Sequence, residues 1–310
     1  MRVALLITLA LLVVAGGAMA QSFGGGGFGE ESQFGPPSEP RDYGAPQPEA
    51  GQRFFIHRQE VKLALVGAFM IGAGILAFLG RSWLRRLYLI AAVGVLGFYM
   101  GGFLCPTAAV QNVFLKTGTA YLLLFLVPVV GALLMGRLFC GYVCPFGALQ
   151  ELIHIRKWAL RIPDRVRRAL SWLRYVVLAY LVARVLVVHT VAFEGFSPFK
   201  PLFAWGGTPA TIAFTAVFTL LSVVLFRPFC RTLCPYGALL SILSRFSLFR
   251  VGADEGCRNC GLCTRVCLAG AMEDGTVDAT ECLLCGACVA TCGPTALKLR
   301  PFWARRRAER

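Results

Sequence analysis

Five apolar runs, at roughly 61–80, 87–104, 119–136, 171–191 and 209–226, restrict this chain more than any other feature. Each is near the ~20 residues that carry a helix across a hydrocarbon core. A bilayer interior offers no water to backbone N–H and C=O groups, so segments that span it are helical. Composition agrees: 57% of the 310 residues are hydrophobic and 15% charged, and mean hydropathy is +0.66, more apolar surface than a soluble globule of this size can bury. Pro128 in the third run and Gly72 and Gly74 in the first are compatible with spans that pack against neighbours.

Lys and Arg placement orients the spans. Arg81, Arg85 and Arg86 separate the first two runs, and Arg137, Arg156, Lys157, Arg161, Arg165, Arg167 and Arg168 separate the third and fourth. Arg227, Arg231, Arg245 and Arg250 follow the fifth, whereas the alternate loops hold only Lys116 and Lys200. The positive-inside rule therefore predicts a cytoplasmic C-terminal part and an exported N-terminal part of an inner-membrane protein. The formal charge of +15 is read as orientation and contact with anionic lipid. Nucleic-acid binding would need the basic residues clustered on a soluble domain.

Arg2, the apolar stretch from Val3 to Ala15 and Ala18-Met19-Ala20 have the layout of a secretory signal peptide over 1–20, with an uncleaved anchor as the alternative. Residues 21–60 hold Gly24 to Gly27 and Pro36-Pro37 with few apolar residues, and are expected to form a disordered periplasmic tether. The expected remainder is a transmembrane domain over 61–250, a cysteine-rich domain over 251–299 and a basic tail over 300–310.

Thirteen cysteines are placed unevenly, with none before Cys105 and eight after Gly256. Residues 257–267 read Cys-x2-Cys-x2-Cys-x3-Cys, and 282–292 repeat the spacing. In two-cluster ferredoxins the fourth Cys of each run ligates the other cubane. The predicted ligand sets for two [4Fe–4S] clusters are Cys257, Cys260, Cys263 and Cys292, and Cys282, Cys285, Cys288 and Cys267. Two four-thiolate zinc sites are the alternative, although zinc ribbons pair Cys-x2-Cys knuckles across a longer separation. Gly261, Gly286 and Gly293 permit turns that aim amides at the clusters. This stretch resembles the bacterial-type 2[4Fe–4S] ferredoxin fold over about fifty residues. It departs from that pattern where Leu268 and Gly293 follow the fourth Cys in place of Pro.

A second repeat lies nearer the spans. Arg137-Leu138-Phe139-Cys140-Gly141-Tyr142-Val143-Cys144-Pro145-Phe146-Gly147-Ala148-Leu149 recurs ninety residues on, as Arg227-Pro228-Phe229-Cys230-Arg231-Thr232-Leu233-Cys234-Pro235-Tyr236-Gly237-Ala238-Leu239. Both boxes leave the same face, and the repeat suggests two halves around a shared site. Cysteines four apart share one side of a helical turn, and the following Pro redirects the chain. Cys140, Cys144, Cys230 and Cys234 are thus candidates to meet at one metal or cluster, or to act as a redox relay. Packing as small buried hydrophobes is the alternative. The segments 146–160 and 236–250 mix apolar with basic residues and are expected to lie along the inner leaflet.

With its spans, paired Cys-x3-Cys-Pro boxes and ferredoxin-like tail, the chain resembles the NapH/NosR-type membrane ferredoxins over residues 85–300. The expected fold is α-helical and membrane-embedded, about five transmembrane helices, with a C-terminal α+β 2[4Fe–4S] domain. The resemblance implies electron transfer between a quinol pool or cytoplasmic donor and a periplasmic redox protein, often in anaerobic respiration. It also leaves a quinone among the cofactors. NosR-type members carry a periplasmic flavin-binding domain that the tether is too short to form. No general base, nucleophile triad or phosphate loop is present, so an electron-transfer subunit is expected over a stand-alone enzyme. The alternatives are a redox maturation or copper-reducing factor for an exported metalloenzyme, and a passive anchor. Cys105-Pro106 faintly echoes Cys144-Pro145, and Arg184 places a charge inside the fourth run. His189 is the one His in or near a span, so a bis-histidine haem within the chain is excluded.

Overall fold

The computed structural model describes residues 59–80, 82–100, 119–160, 163–188, 198–203, 208–253, 257, 260–273, 276–293 and 297–301. The expected signal peptide, nearly all of the tether, Cys105, His189 and most of the basic tail lie outside the described residues.

The apolar runs form helices. They are α1 (Gln59–Leu79), α2 (Ser82–Ala91), which continues as a π-helical segment Ala92–Tyr99, α3 (Thr119–Met135), α5 (Asp164–Val188) and α7 (Pro209–Val224). Pro128 sits inside α3. Two helices, over Val61–Leu79 and Arg165–Val187, are long and apolar enough to cross a membrane, while α3 and α7 are shorter apolar helices. Their outer faces are bare of protein: Ile71 is 69% exposed, Val187 79% and Leu220 70%. Apolar side chains in such continuous stripes require a non-aqueous neighbour.

Short elements join these helices. α4 (Pro145–Ile153) follows a π-helical turn at Phe139–Val143, α6 is Phe199–Phe203, and α8 (Pro228–Thr232) precedes α9 (Pro235–Ser244). The ninety-residue repeat is visible in three dimensions, because α3 and α7 begin ninety residues apart, as do α4 and α9. The halves interlock: α4 packs on α7 of the second repeat, and α9 packs on α3 of the first. The Tyr236 hydroxyl donates to Phe125 O at 3.1 Å, and His154 Nδ1 lies 3.2 Å from Ser222 O. Pro145, Phe146, Gly147, Ala148 and Gln150 of α4 and Pro235, Tyr236, Gly237, Ala238, Leu240 and Ser241 of α9 are buried in protein, whereas Ile155, Trp158, Leu160 and Phe246 toward the ends of the two segments keep exposed apolar side chains.

The tail is a small α+β arrangement. β1 (Phe249–Ala253) pairs antiparallel with β4 (Leu297–Pro301), Val251 facing Leu299, and β2 (Met272–Glu273) pairs antiparallel with β3 (Thr276–Val277). α10 (Leu262–Val266) and α11 (Ala287–Cys292) pack on each other and carry Cys263, Cys288 and Cys292. Leu248 N donates to Leu133 O at 2.9 Å, tying the start of β1 to the end of α3.

Candidate metal centre

Each box builds a short helical turn that leads into a helix started by Pro. Cys140 lies in the π-helical turn, and Cys144 leaves it in extended conformation to become the N-cap of α4, with Pro145 in the first turn. Cys230 lies in α8, and Cys234 is the N-cap of α9, again followed by Pro. Pro starts a helix here because its fixed φ suits the first turn and its missing N–H has no intrahelical partner to lose. The Gly237 amide donates to Cys234 Sγ at 3.3 Å. An amide and a helix N-terminus aimed at sulfur favour a thiolate.

The four thiols converge from both halves. All are buried, and Cys140, Cys230 and Cys234 each lie within the electrostatic reach of Cys144. Glycine makes the approach possible: a Cβ on Gly147 would meet Arg227 Nη1 at 3.1 Å, Cys140 O at 3.2 Å and Cys230 Sγ at 3.5 Å. Burial, then neighbouring thiols, pushes Cys144 and Cys234 well above the ordinary thiol range. Burial likewise lifts Cys230 to about 11 against the attraction of Arg227. Bare thiolates are thus disfavoured in this dry site, whereas metal coordination deprotonates a thiol outright.

Arginine networks frame the thiols. Glu151 receives both Arg85 and Arg227, and Arg227 also donates to Cys140 O and, at 3.1 Å, to Gly141 O. Burial alone would raise Glu151, but the two guanidiniums outweigh it and hold the carboxyl at about 2. On the other side Glu281 receives Arg174 and, at 3.4 Å, Arg137. Arg137, Arg174 and Arg227 are each 1% exposed. Each group pairs two guanidiniums with one carboxylate, so each retains a surplus positive charge. Arg231, half-buried beside them, is pushed down to about 10 by burial and by repulsion from Arg167, Arg137 and Arg174, against the attraction of Glu281. Arg137 Nε and Nη2 are buried without a hydrogen-bond partner, as are both amide atoms of Gln150.

Four of the tail thiols share one cavity. Cys267, Cys282, Cys285 and Cys288 line a single cavity, closed by Ala271, Leu283, Gly286 and neighbours. The Ala271 amide donates to Cys267 Sγ at 3.3 Å. Burial first, then mutual repulsion with Cys285 and Cys267, raises Cys288 to about 12. Cys292 is raised by burial and by Cys263, Cys260 and Cys257, the other three of its expected set. Gly261 and Gly286, each just after the second Cys of its run, stand at φ +70° and +74° at the N-caps of α10 and α11, a left-handed turn that favours glycine.

The first box adjoins the tail. A Cβ on Gly141 would lie 2.2 Å from Leu283 O, so the tail backbone rests directly on the first box. The Tyr142 hydroxyl donates to Leu284 O at 3.0 Å, and Arg85 lies in the field of Cys285. Two non-glycine residues among those described have left-handed backbone, Arg227 (φ 50°) and Leu284 (φ 52°), and both touch this box. Such backbones cost about 1–3 kcal/mol each and concentrate at functional sites.

The residues fit an iron–sulfur cubane. Among the described residues no three Cys, His, Asp or Glu side chains approach closely enough to share one ion. A cubane spreads four thiolates over a larger core and is anionic when so ligated. Surplus guanidinium charge and the unpartnered Arg137 nitrogens suit such an anion.

Arg85, Glu151, Arg174 and Glu281 were not apparent as site residues from sequence, where Arg85 counted only toward orientation and Arg137 and Arg227 toward orientation and the repeated box. The signal present was the ninety-residue match of Arg137 with Arg227. Arg184 is half-buried in α5, its Nε buried without a partner.

These features define a helical iron–sulfur protein of ferredoxin type. The family described as 4Fe-4S binding domain matches residues 117–163 and 208–253, the two repeats that carry the Cys boxes. An uncharacterized protein of Methanocaldococcus jannaschii is 30% identical over 234 residues, covering 72% of this chain and 87% of that protein. The regulatory protein NosR of Pseudomonas aeruginosa is 36% identical over 173 residues, covering 51% of this chain and 24% of NosR. The methylamine utilization ferredoxin-type protein MauN of Methylobacillus flagellatus is 27% identical over 228 residues, covering 70% and 76%. No solved structure matches. The chain belongs to the NosR/NapH-type family of ferredoxin-like membrane proteins.

Proposed function

We propose that the chain is a membrane electron-transfer protein that relays electrons one at a time between a quinol or cytoplasmic donor and a periplasmic acceptor. In this reading the five apolar runs span the inner membrane, and the boxes and tail face the cytoplasm. Cys257, Cys260, Cys263 and Cys292 hold one [4Fe–4S] cluster, Cys267, Cys282, Cys285 and Cys288 a second, and Cys140, Cys144, Cys230 and Cys234 a third. Bound clusters supply one-electron storage at potentials set by charge and hydrogen bonds. The protein's part is to exclude water, aim amides at sulfur and place guanidiniums beside the thiols. One observation carries the reading: four buried thiols come equally from two repeats, and the backbone of the first box lies against that of the tail's second Cys run.

An EPR-monitored redox titration of the anaerobically purified chain tests it. Cys140→Ser and Cys230→Ser should each remove one redox centre, keep the tail signals, and stop reoxidation of the reduced tail by a quinone analogue. Unchanged titration and reoxidation in both variants would refute the relay. Loss of copper reduction with intact quinone chemistry would point to the maturation role.

A further inference from the structure

The two repeats are not equal in charge. Ninety residues after Glu151, the carboxylate of the first arginine pair, the chain has Ser241. The second arginine pair is nevertheless complete: Arg174 donates to Ser241 Oγ at 3.1 Å, and Arg137 stands where Arg227 stands in the other half. The missing carboxylate comes from the tail. Glu281, immediately before Cys282, inserts between Arg137 and Arg174 with its side chain 11% exposed. Its neighbour continues the contact, as Thr280 O accepts from Arg137 Nη1 at 3.0 Å and Ser241 Oγ at 2.8 Å.

We infer that Glu281 is a positioning residue: it replaces the carboxylate that the second repeat lacks at Ser241, and so docks the 280–286 loop in one register on the membrane helices. The docked register seats Leu283 on Gly141 and Leu284 on the Tyr142 hydroxyl. It therefore sets the Cys267, Cys282, Cys285 and Cys288 group next to the boxes and leaves the group containing the exposed Cys260 for a soluble partner. Buried ion pairs suit such a use, because removing one partner strands the other charges, and the geometry specifies one arrangement. The electron-transfer consequence rests on the function proposed above; the docking itself does not.

The test uses the full chain in detergent with Glu281→Gln, Glu281→Asp and the double variant Glu281→Gln/Ser241→Glu, which returns a carboxylate to both arginines from α9. Amide hydrogen exchange over 280–286, thermal stability and inter-centre EPR relaxation are measured together. Glu281→Gln should keep tail iron, raise exchange over 280–286 about tenfold or more and weaken relaxation coupling to the box centre. Glu281→Asp should fall between it and the parent. The double variant should regain thermal stability while exchange stays fast. Parental exchange in Glu281→Gln would overturn the proposal, and so would a double variant whose exchange slows to the parental rate, since Glu281 would then only neutralise arginines. If Glu281→Gln does not accumulate, the Asp and double variants carry the same comparison. Absence of a box centre would defeat the proposed relay while the exchange result still decides the docking.

Discussion

Gly141→Ala perturbs one contact at the meeting of box and tail. The new Cβ would sit 2.2 Å from Leu283 O, where ordinary contact begins at 3.4 Å, so box and loop must part by 1.2 Å. The obstacle is backbone, which cannot swing aside like the end of a side chain. Overpacking of this kind costs about 1–3 kcal/mol. The same displacement would stretch the 3.0 Å Tyr142 to Leu284 hydrogen bond past its useful range, a further loss of about 0.5–1.5 kcal/mol. Together they amount to roughly 1.5–4.5 kcal/mol, or a shift of the docked equilibrium by roughly ten- to two-thousand-fold. Hydrogen exchange over 280–286 reads this shift, with Gly67→Ala as control because a Cβ there meets nothing within 4 Å. Gly141→Ala with parental exchange and parental cluster potentials would show that the tail does not rest on the box as argued.

Three further outcomes follow from the charged and thiol groups. Arg227→Gln leaves Glu151 with Arg85 alone and strips the Cys140 and Gly141 carbonyls of a donor, so thermal unfolding should report a loss of about 3–5 kcal/mol. Glu151 is held at about 2, below its ordinary 4.5; its pairing is present in full above about pH 4.5 and is lost as pH falls toward 2. Acid titration of the metal-free chain by circular dichroism should therefore show an acid limb in the parent that Glu151→Gln lacks. Cys292→Ser should disturb the EPR signal of the centre shared with Cys257, Cys260 and Cys263 and spare the one shared with Cys282, and the reverse pattern would refute the crossed ligand sets.

The ninety-residue repeat was legible in the sequence because it is a pattern of spacing, and spacing survives in one dimension. The left-handed turns at Gly261 and Gly286 were legible for the same reason. What the spacing does not carry is which repeat packs on which. α4 and α9 look amphipathic when read alone, and it takes elements from both halves of the molecule to cover them. Arg137 and Arg227 read as orientation signals, since an Arg beside an apolar run ordinarily reaches the headgroups; here each turns inward to a carboxylate from elsewhere in the chain. Glu281 and Arg137 are 144 residues apart, so no local rule connects them.

The direct measurement is iron and acid-labile sulfide per chain in oxygen-free, full-length protein. The account predicts about twelve of each, four for every group of thiols. About eight would leave the boxes empty and contradict the third centre, and zinc in place of iron would contradict all three.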